Sequence, residues 1–182
     1  MILKKQKISG VYIIELDPYK DNRGTFKRHF CEEELKKNNI HFNIKQTNIS
    51  FNIKDKTLRG FHFQKPPHQE DKIISCISGS IYNIVLDVRK NSETYLKWQS
   101  FNLDANNNFN LLVPKGCANA YLTLENNTSI FYYHSEFYKP NFGKSIRYND
   151  PYFDFKWPSE PEIISEKDKL IKNFHPDDLD KL

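Results

Sequence analysis

A chain of 182 residues with 38% hydrophobic and 14% aromatic content can bury one full core, and it is too apolar to be disordered. Its 27 basic and 23 acidic residues leave a formal net charge of +4 with no long block of either sign. That excludes the dense basic footprint of a nucleic-acid binder and is compatible with a small anionic ligand such as a nucleotide.

In chain order, residues 1–7 carry no apolar run of signal-peptide length, and no later run approaches a membrane span, so a soluble domain with no membrane partner is expected. Residues 8–16 (ISGVYIIEL) are β-branched and aromatic and read as a strand with an edge-like character. Asp21-Asn22-Arg23-Gly24 closes a turn, and residues 25–30 resume the strand pattern. Residues 32–39 predict a helix, with acids first and lysines last as the helix dipole prefers. From residue 42 to 137, short β-runs alternate with turn clusters, including Pro66-Pro67, Ser78-Gly79-Ser80, Asn106-Asn107-Asn108 and Pro114-Lys115-Gly116. Residues 81–88 are too apolar for a strand with one wet face. After Pro140 the chain is irregular and aromatic, with a short polar helix near 165–173. Cys31, Cys76 and Cys117 lie far apart with no C-x-x-C pair, which argues for reduced thiols and a cytoplasmic setting. The expectation is a mainly β protein, a cupin or jelly-roll barrel with short flanking helices, as one domain over residues 1–174 and a tail over 175–182.

The stretch Leu58-Arg59-Gly60-Phe61-His62-Phe63-Gln64 stands at the centre. Strand alternation sends Gly60, His62 and Gln64 to one face and Phe61 and Phe63 to the other. The phenylalanines mark a core side, and His62 is the group in the stretch that titrates near neutral pH. By the same alternation Arg59 faces away from His62, unless Gly60 bends the strand. Many cupins bind a metal through H-x-H, a nearby glutamate and a histidine after a P-x-G turn. Here Gln64 replaces one histidine and Asn119 stands where the last would be, while His68 and Glu70 sit in a Pro-rich loop. The donor set is too small for a first-row metal, so no metal and no cofactor is expected.

The chain resembles the dTDP-4-dehydrorhamnose 3,5-epimerase family from about residue 8 to 168. The resemblance rests on Asp21-Asn22-Arg23-Gly24 with Phe26, Gln46-Thr47-Asn48, the 58–64 stretch, Lys72, Asp87-Val88-Arg89-Lys90-Asn91-Ser92 and Val113-Pro114-Lys115-Gly116. It continues through Tyr132, Ser135 and Tyr138, then Tyr148-Asn149-Asp150 and Ser165-Glu166-Lys167-Asp168. Nine such pieces in order, at near-constant spacing, make a specific signal.

The resemblance implies a metal-free isomerase acting beside the ketone of a 4-keto-6-deoxy sugar on a nucleotide diphosphate. His62 would be the base, Asp168 its orienting partner, Lys72 the donor to the enolate oxygen and Tyr132 the opposing acid, with adjacent Tyr133 the competing choice. Arg23 and Arg59 would meet the diphosphate. Phe26, Gln46, Asn48, Asn119 and Tyr138 would line the sugar and nucleotide pocket. A homodimer with exchanged N-terminal strands is also implied. Where the family commonly has aspartate and histidine this chain has Asn83 and Asn119; Arg28 replaces a usual glutamate, and His134 departs from the pattern. These changes leave open an enzyme restricted to carbon 3 or carbon 5, one with another nucleotide sugar, and a non-catalytic nucleotide-sugar-binding cupin.

Overall fold

The computed structural model describes residues 1–175; most of the tail expected over 175–182 lies outside the described residues. The chain begins with β1 (Ile2–Lys5), β2 (Tyr12–Glu15) and a small hairpin, β3 (Tyr19–Asp21) with β4 (Gly24–Phe26). After α1 (Glu32–Lys36) come β5 (Gln46–Asn52), β6 (Thr57–Gln64), β7 (Lys72–Ser78) and β8 (Ser80–Asp87). Then follow β9 (Trp98–Asp104), β10 (Phe109–Val113), β11 (Cys117–Thr123) and β12 (Thr128–His134). A 3-10 turn at Pro140–Phe142 leads to β13 (Gly143–Ser145), β14 (Ile163–Ile164) and α2 (Glu166–Lys169). The strands form two main sheets, β1-β2-β10-β7-β12-β5 and β13-β6-β11-β8-β9, with β14 beside β6. This is the jelly-roll barrel that the spacing of short strands predicts.

The apolar pattern explains the layering. Ile74, Ile81, Val85, Leu111 and Ile130 meet between the sheets in an inner core. Phe61, Phe63, Ile84 and Leu86 face outward from the second sheet and are covered by Phe153, Phe155 and Trp157 of the C-terminal segment. Leu35 of α1 and Phe42 cover Ile14, Ile73 and Leu112 on the first sheet. Strand β8 therefore alternates between two cores, which is why residues 81–88 are apolar on both faces.

Local expectations needed correction at the ends of elements. Residues 8–16 are not one strand: residues 8–10 turn, with Gly10 at φ +78°, and β2 starts at Tyr12. The lysine-rich start forms β1, paired with β2 from Ile2↔Glu15 to Lys5↔Tyr12. β2 is thus internal, paired also with β10, and the edges of its sheet are β1 and β5. Of the predicted 25–30 strand only Thr25 and Phe26 pair, within β4. The first helix ends at Lys36, with Asn39 at φ +59° three residues beyond, and α2 is a single turn rather than a helix to 173. Among the described residues, no helix is long and apolar enough to cross a membrane.

Candidate active site

The site begins with a break in the regular alternation of β6. Across the β6–β11 ladder Asn119 faces His62 but Tyr121 faces Arg59, so three steps on β6 oppose two on β11. The extra residue is a bulge, and it turns Arg59 and His62 to the same side. Gly60 permits it: its φ is +112°, and a Cβ there would lie 2.6 Å from the carbonyl oxygen of Asn119 and 2.7 Å from Ala120 Cα. Arg59 donates from Nε to Asn52 Oδ1 at 2.9 Å. Phe61 and Phe63 pack into the outer core, as their alternation predicts.

The carboxylate that meets His62 arrives from the far end of the chain. β14 runs parallel to β6, with Ile163 beside Thr57 and Ile164 beside Leu58, and so sets α2 against the strand. Ser165 caps α2, its Oγ accepting from the Asp168 backbone N–H at 3.1 Å. Arg147 donates to the carbonyls of Lys169 and Ile171 at 3.0 and 2.8 Å, which pins the helix end. Asp168 Oδ1 then lies 2.7 Å from His62 Nε2. The Asp168 side chain is 5% exposed and that of His62 48%, so the carboxylate is enclosed while the imidazole opens to the cavity. Burial pushes the Asp168 carboxyl up, but His62, Ser165 and the Gly60 backbone N–H outweigh it and hold the group below the ordinary carboxylate range. An ionised carboxylate only accepts hydrogen bonds, so Nε2 carries a proton, and in the neutral ring Nδ1 is the nitrogen that holds the lone pair. Such a pair is suited to taking up a proton.

A cavity of about 650 Å³ opens between β5 and β12 of one sheet and β6 and β11 of the other, a size that suits a nucleotide-sized ligand. Lys72, at the start of β7, is 7% exposed. Its Nζ reaches the His62 carbonyl at 3.3 Å, Asn119 Oδ1 at 3.2 Å and Glu70 Oε1 at 3.2 Å. Tyr132 also lines the cavity. Burial pushes its hydroxyl well above the ordinary tyrosine value, with Tyr121 adding to the shift and Arg59 opposing it, so it stays protonated and able to donate. Tyr133 takes the other face of β12, where it stacks on Phe30 and bonds His29.

The remaining candidates divide. Asn48, Arg59, Asn119 and Tyr138 line the cavity. Gln46 is not among its lining residues; its Oε1 instead accepts from the Tyr138 backbone N–H at 2.9 Å and so holds that loop. Arg23 and Phe26 lie apart on the β3–β4 hairpin, where Arg23 is paired with Asp21 and Phe26 is 79% exposed. Gln64 is committed to the His68 and Phe137 carbonyls and to the Lys139 N–H. Among the described residues no group of three or more His, Cys, Asp or Glu is placed to hold a metal ion.

Sequence reasoning gave Lys144 and Lys167 no role, set Glu70 aside as a metal ligand and noted His134 only as a departure from the family pattern. Lys144 and Lys167 join Arg59 and Lys72 to make four cationic side chains against the carboxylates of Glu70 and Asp168, an excess that favours an anionic ligand. Glu70 and His134 form a buried pair, Oε2 to Nδ1 at 2.8 Å. Their distance in sequence and the prolines beside Glu70 hid that pairing.

Comparison with known proteins agrees with this geometry. The family model for dTDP-4-dehydrorhamnose 3,5-epimerase matches residues 5–176. The dTDP-4-dehydrorhamnose 3,5-epimerase of Methanothermobacter thermautotrophicus is 34% identical over 171 residues, covering 92% of this chain and 91% of that protein. The crystal structure of the Bacillus anthracis enzyme of that name, with TDP and PPi bound, superposes with a TM-score of 0.92 at 30% identity, over 95% of this chain and 99% of that one. ChmJ of Streptomyces bikiniensis, a 3'-monoepimerase in complex with dTDP-quinovose, gives a TM-score of 0.86 at 26% identity, over 92% and 85% of the two chains. With nearly its whole length matched, and a cavity in which an imidazole–carboxylate pair opens beside a buried lysine, the chain belongs to the dTDP-4-dehydrorhamnose 3,5-epimerase family of isomerases.

Proposed function

We propose that the chain epimerises dTDP-4-keto-6-deoxyglucose at carbons 3 and 5, without metal or cofactor, by removing a proton next to the C4 ketone. The observation that carries this reading is the His62–Asp168 pair, 2.7 Å apart, opening on a cavity that also contains the buried ammonium of Lys72. His62 Nδ1 takes the proton from the carbon, and the C–H electron pair moves into an enolate whose oxygen faces Lys72. The Tyr132 hydroxyl returns a proton from the opposite face, and both groups regain their starting states by exchange with solvent. Arg59, with Lys144 and Lys167, suits the diphosphate, since a guanidinium stays charged and binds phosphate oxygens bidentately. Asn48, Asn119 and Tyr138 contact sugar or base, and Gln46 positions the Tyr138 loop.

Arg23 and Phe26 reach a ligand in this scheme through a homodimer, the hairpin of one copy entering the cavity of its partner. The exposure of Phe26 at 79% and Tyr19 at 65% on that hairpin supports this, as does that of Ile49, Phe51 and Ile53 at 64%, 55% and 65% on and just beyond edge strand β5. A monomer mass in light scattering at micromolar concentration would remove that part of the scheme. A cytoplasmic setting fits a chain with widely spaced cysteines and a nucleotide-sugar substrate.

The deciding experiment follows both sugar positions by NMR in D₂O with dTDP-4-keto-6-deoxyglucose. Deuterium entering carbons 3 and 5 is the expected result. Exchange at carbon 3 alone gives the reading that the likeness to the 3'-monoepimerase favours. Exchange only with another 4-keto nucleotide sugar keeps the chemistry and changes the substrate. Binding without exchange on any such sugar leaves a non-catalytic binder.

A further inference from the structure

Lys72 Nζ has three oxygen partners: the His62 carbonyl, the Asn119 amide and Glu70 Oε1. Only Glu70 carries charge. The side chains of Lys72 and Glu70 are each 9% exposed, and an ion pair this enclosed is stable only if its other hydrogen-bonding positions are filled. They are. Glu70 Oε2 accepts from His134 Nδ1 at 2.8 Å, and His134 Nε2 meets Asn48 Nδ2 at 3.1 Å. The chain of contacts thus runs from Asn48 on β5, through His134 on β12 and Glu70 in the loop before β7, to Lys72. The His134 ring also stacks on Tyr132, with centroids 5.7 Å apart and planes at 23°. One imidazole therefore supports the partner of Lys72 on its edge and the ring of Tyr132 on its face.

We propose that Glu70 and His134 are positioning residues for the reaction: Glu70 holds the Lys72 ammonium aimed at the enolate oxygen, and His134 fixes Glu70 while backing Tyr132. This rests on the reading above, in which Lys72 faces the enolate and Tyr132 is the acid. A glutamine at position 70 would preserve shape and one acceptor for Lys72, but it removes the charge that pairs with the ammonium, and its amide N–H would oblige His134 Nδ1 to accept rather than donate. Asn119, the other side chain on Lys72, cannot ionise, so no second carboxylate makes up the loss. The other titratable groups lining this cavity are Arg59 and His62 on β6, Tyr121 on β11, Tyr132 on β12, Tyr138, Lys144 on β13, and Lys167 and Asp168 on α2. Asp168 is engaged with His62. Glu70 itself lies below the ordinary carboxylate range: burial raises it, and His134 and Lys72 more than reverse that. Asn48 can present either end of its amide to Nε2, so the contact survives whether His134 is neutral or protonated.

The test is Glu70→Gln, whose near-identical shape protects the fold, checked by circular dichroism and thermal melting. We expect kcat to fall on the order of tenfold, less than the ~10²-fold or more from deleting an oxyanion donor, with KM changed little. His134→Ala should give a smaller fall, and His134→Gln should recover most of it by donating to Glu70. Independently of substrate, ¹³C relaxation of labelled lysines should show the Lys72 side chain more mobile in Glu70→Gln than in wild type. Unchanged mobility overturns the proposal whatever the activity. Raised mobility with wild-type kcat overturns the positioning role. Absence of exchange by the wild-type protein on every 4-keto nucleotide sugar would defeat the functional reading, while the lysine mobility would still report on the pair.

Discussion

His62 and Asp168 are hydrogen-bonded at 2.7 Å although 106 residues separate them in the chain. The contact exists because β14 pairs with the start of β6 and sets α2 against its exposed histidine. Replacing His62 by Ala should leave the fold intact, since the side chain is half exposed, and remove the general-base contribution, ~10²–10⁴-fold in deuterium wash-in. Asp168→Asn should cost less, because some imidazole still reaches a competent orientation. Wash-in at the wild-type rate by folded His62→Ala would refute the assignment.

Gly60→Ala should be among the most damaging single substitutions in the barrel. The added methyl meets Asn119 O and Ala120 Cα at 2.6 and 2.7 Å, and the backbone sits at φ +112°. Backbone strain of this kind costs about 1–3 kcal/mol before the clash is counted. A melting temperature within a degree of wild type, together with wild-type activity, would mean that the bulge does not need glycine.

Activity should survive exhaustive chelation. Gln64 is held by three backbone groups and Asn119 by Lys72, so neither is a free ligand for a metal. Loss of turnover that a divalent ion restores, with metal content measured in parallel, would contradict this.

Acid should destabilise the chain through identified carboxylates. Asp87 is fully buried, which raises its pKa, but Arg89, Ser92 and Thr94 outweigh burial and hold it below the ordinary range; Glu70 and Asp168 are lowered likewise by their partners. A carboxyl lowered on folding stabilises above its unfolded value and loses that contribution as pH falls through its folded value. The urea midpoint should therefore hold from neutrality to about pH 5 and decline below it. Asp87→Asn should be less stable at pH 7 and show a shallower acid decline; an equally steep decline would assign the effect elsewhere.

Much of this protein was legible in the sequence because it depends on local chemistry. Turn residues and β-branched runs marked the strands from β5 to β12, and the doubly apolar 81–88 run announced a strand buried on both faces. His62, Lys72 and Asp168, with Tyr132 or Tyr133, were offered as site residues by residue type and motif, and the first three line the cavity together with Tyr132. What pairing decides was not legible. β1 is a lysine-bearing edge that becomes a strand only because β2 lies beside it. Alternation placed Arg59 and His62 on opposite faces, and only the bulge against β11 brings them together. Tyr132 and Tyr133 are equivalent in composition, and the register of β12 between β5 and β7 sends one to the cavity and the other to the outer face. Glu70 and His134, 64 residues apart, carry no shared local signal. Their pairing follows from the enclosure of Lys72, because a buried ammonium needs a charged partner and only the folded barrel determines which carboxylate is in reach.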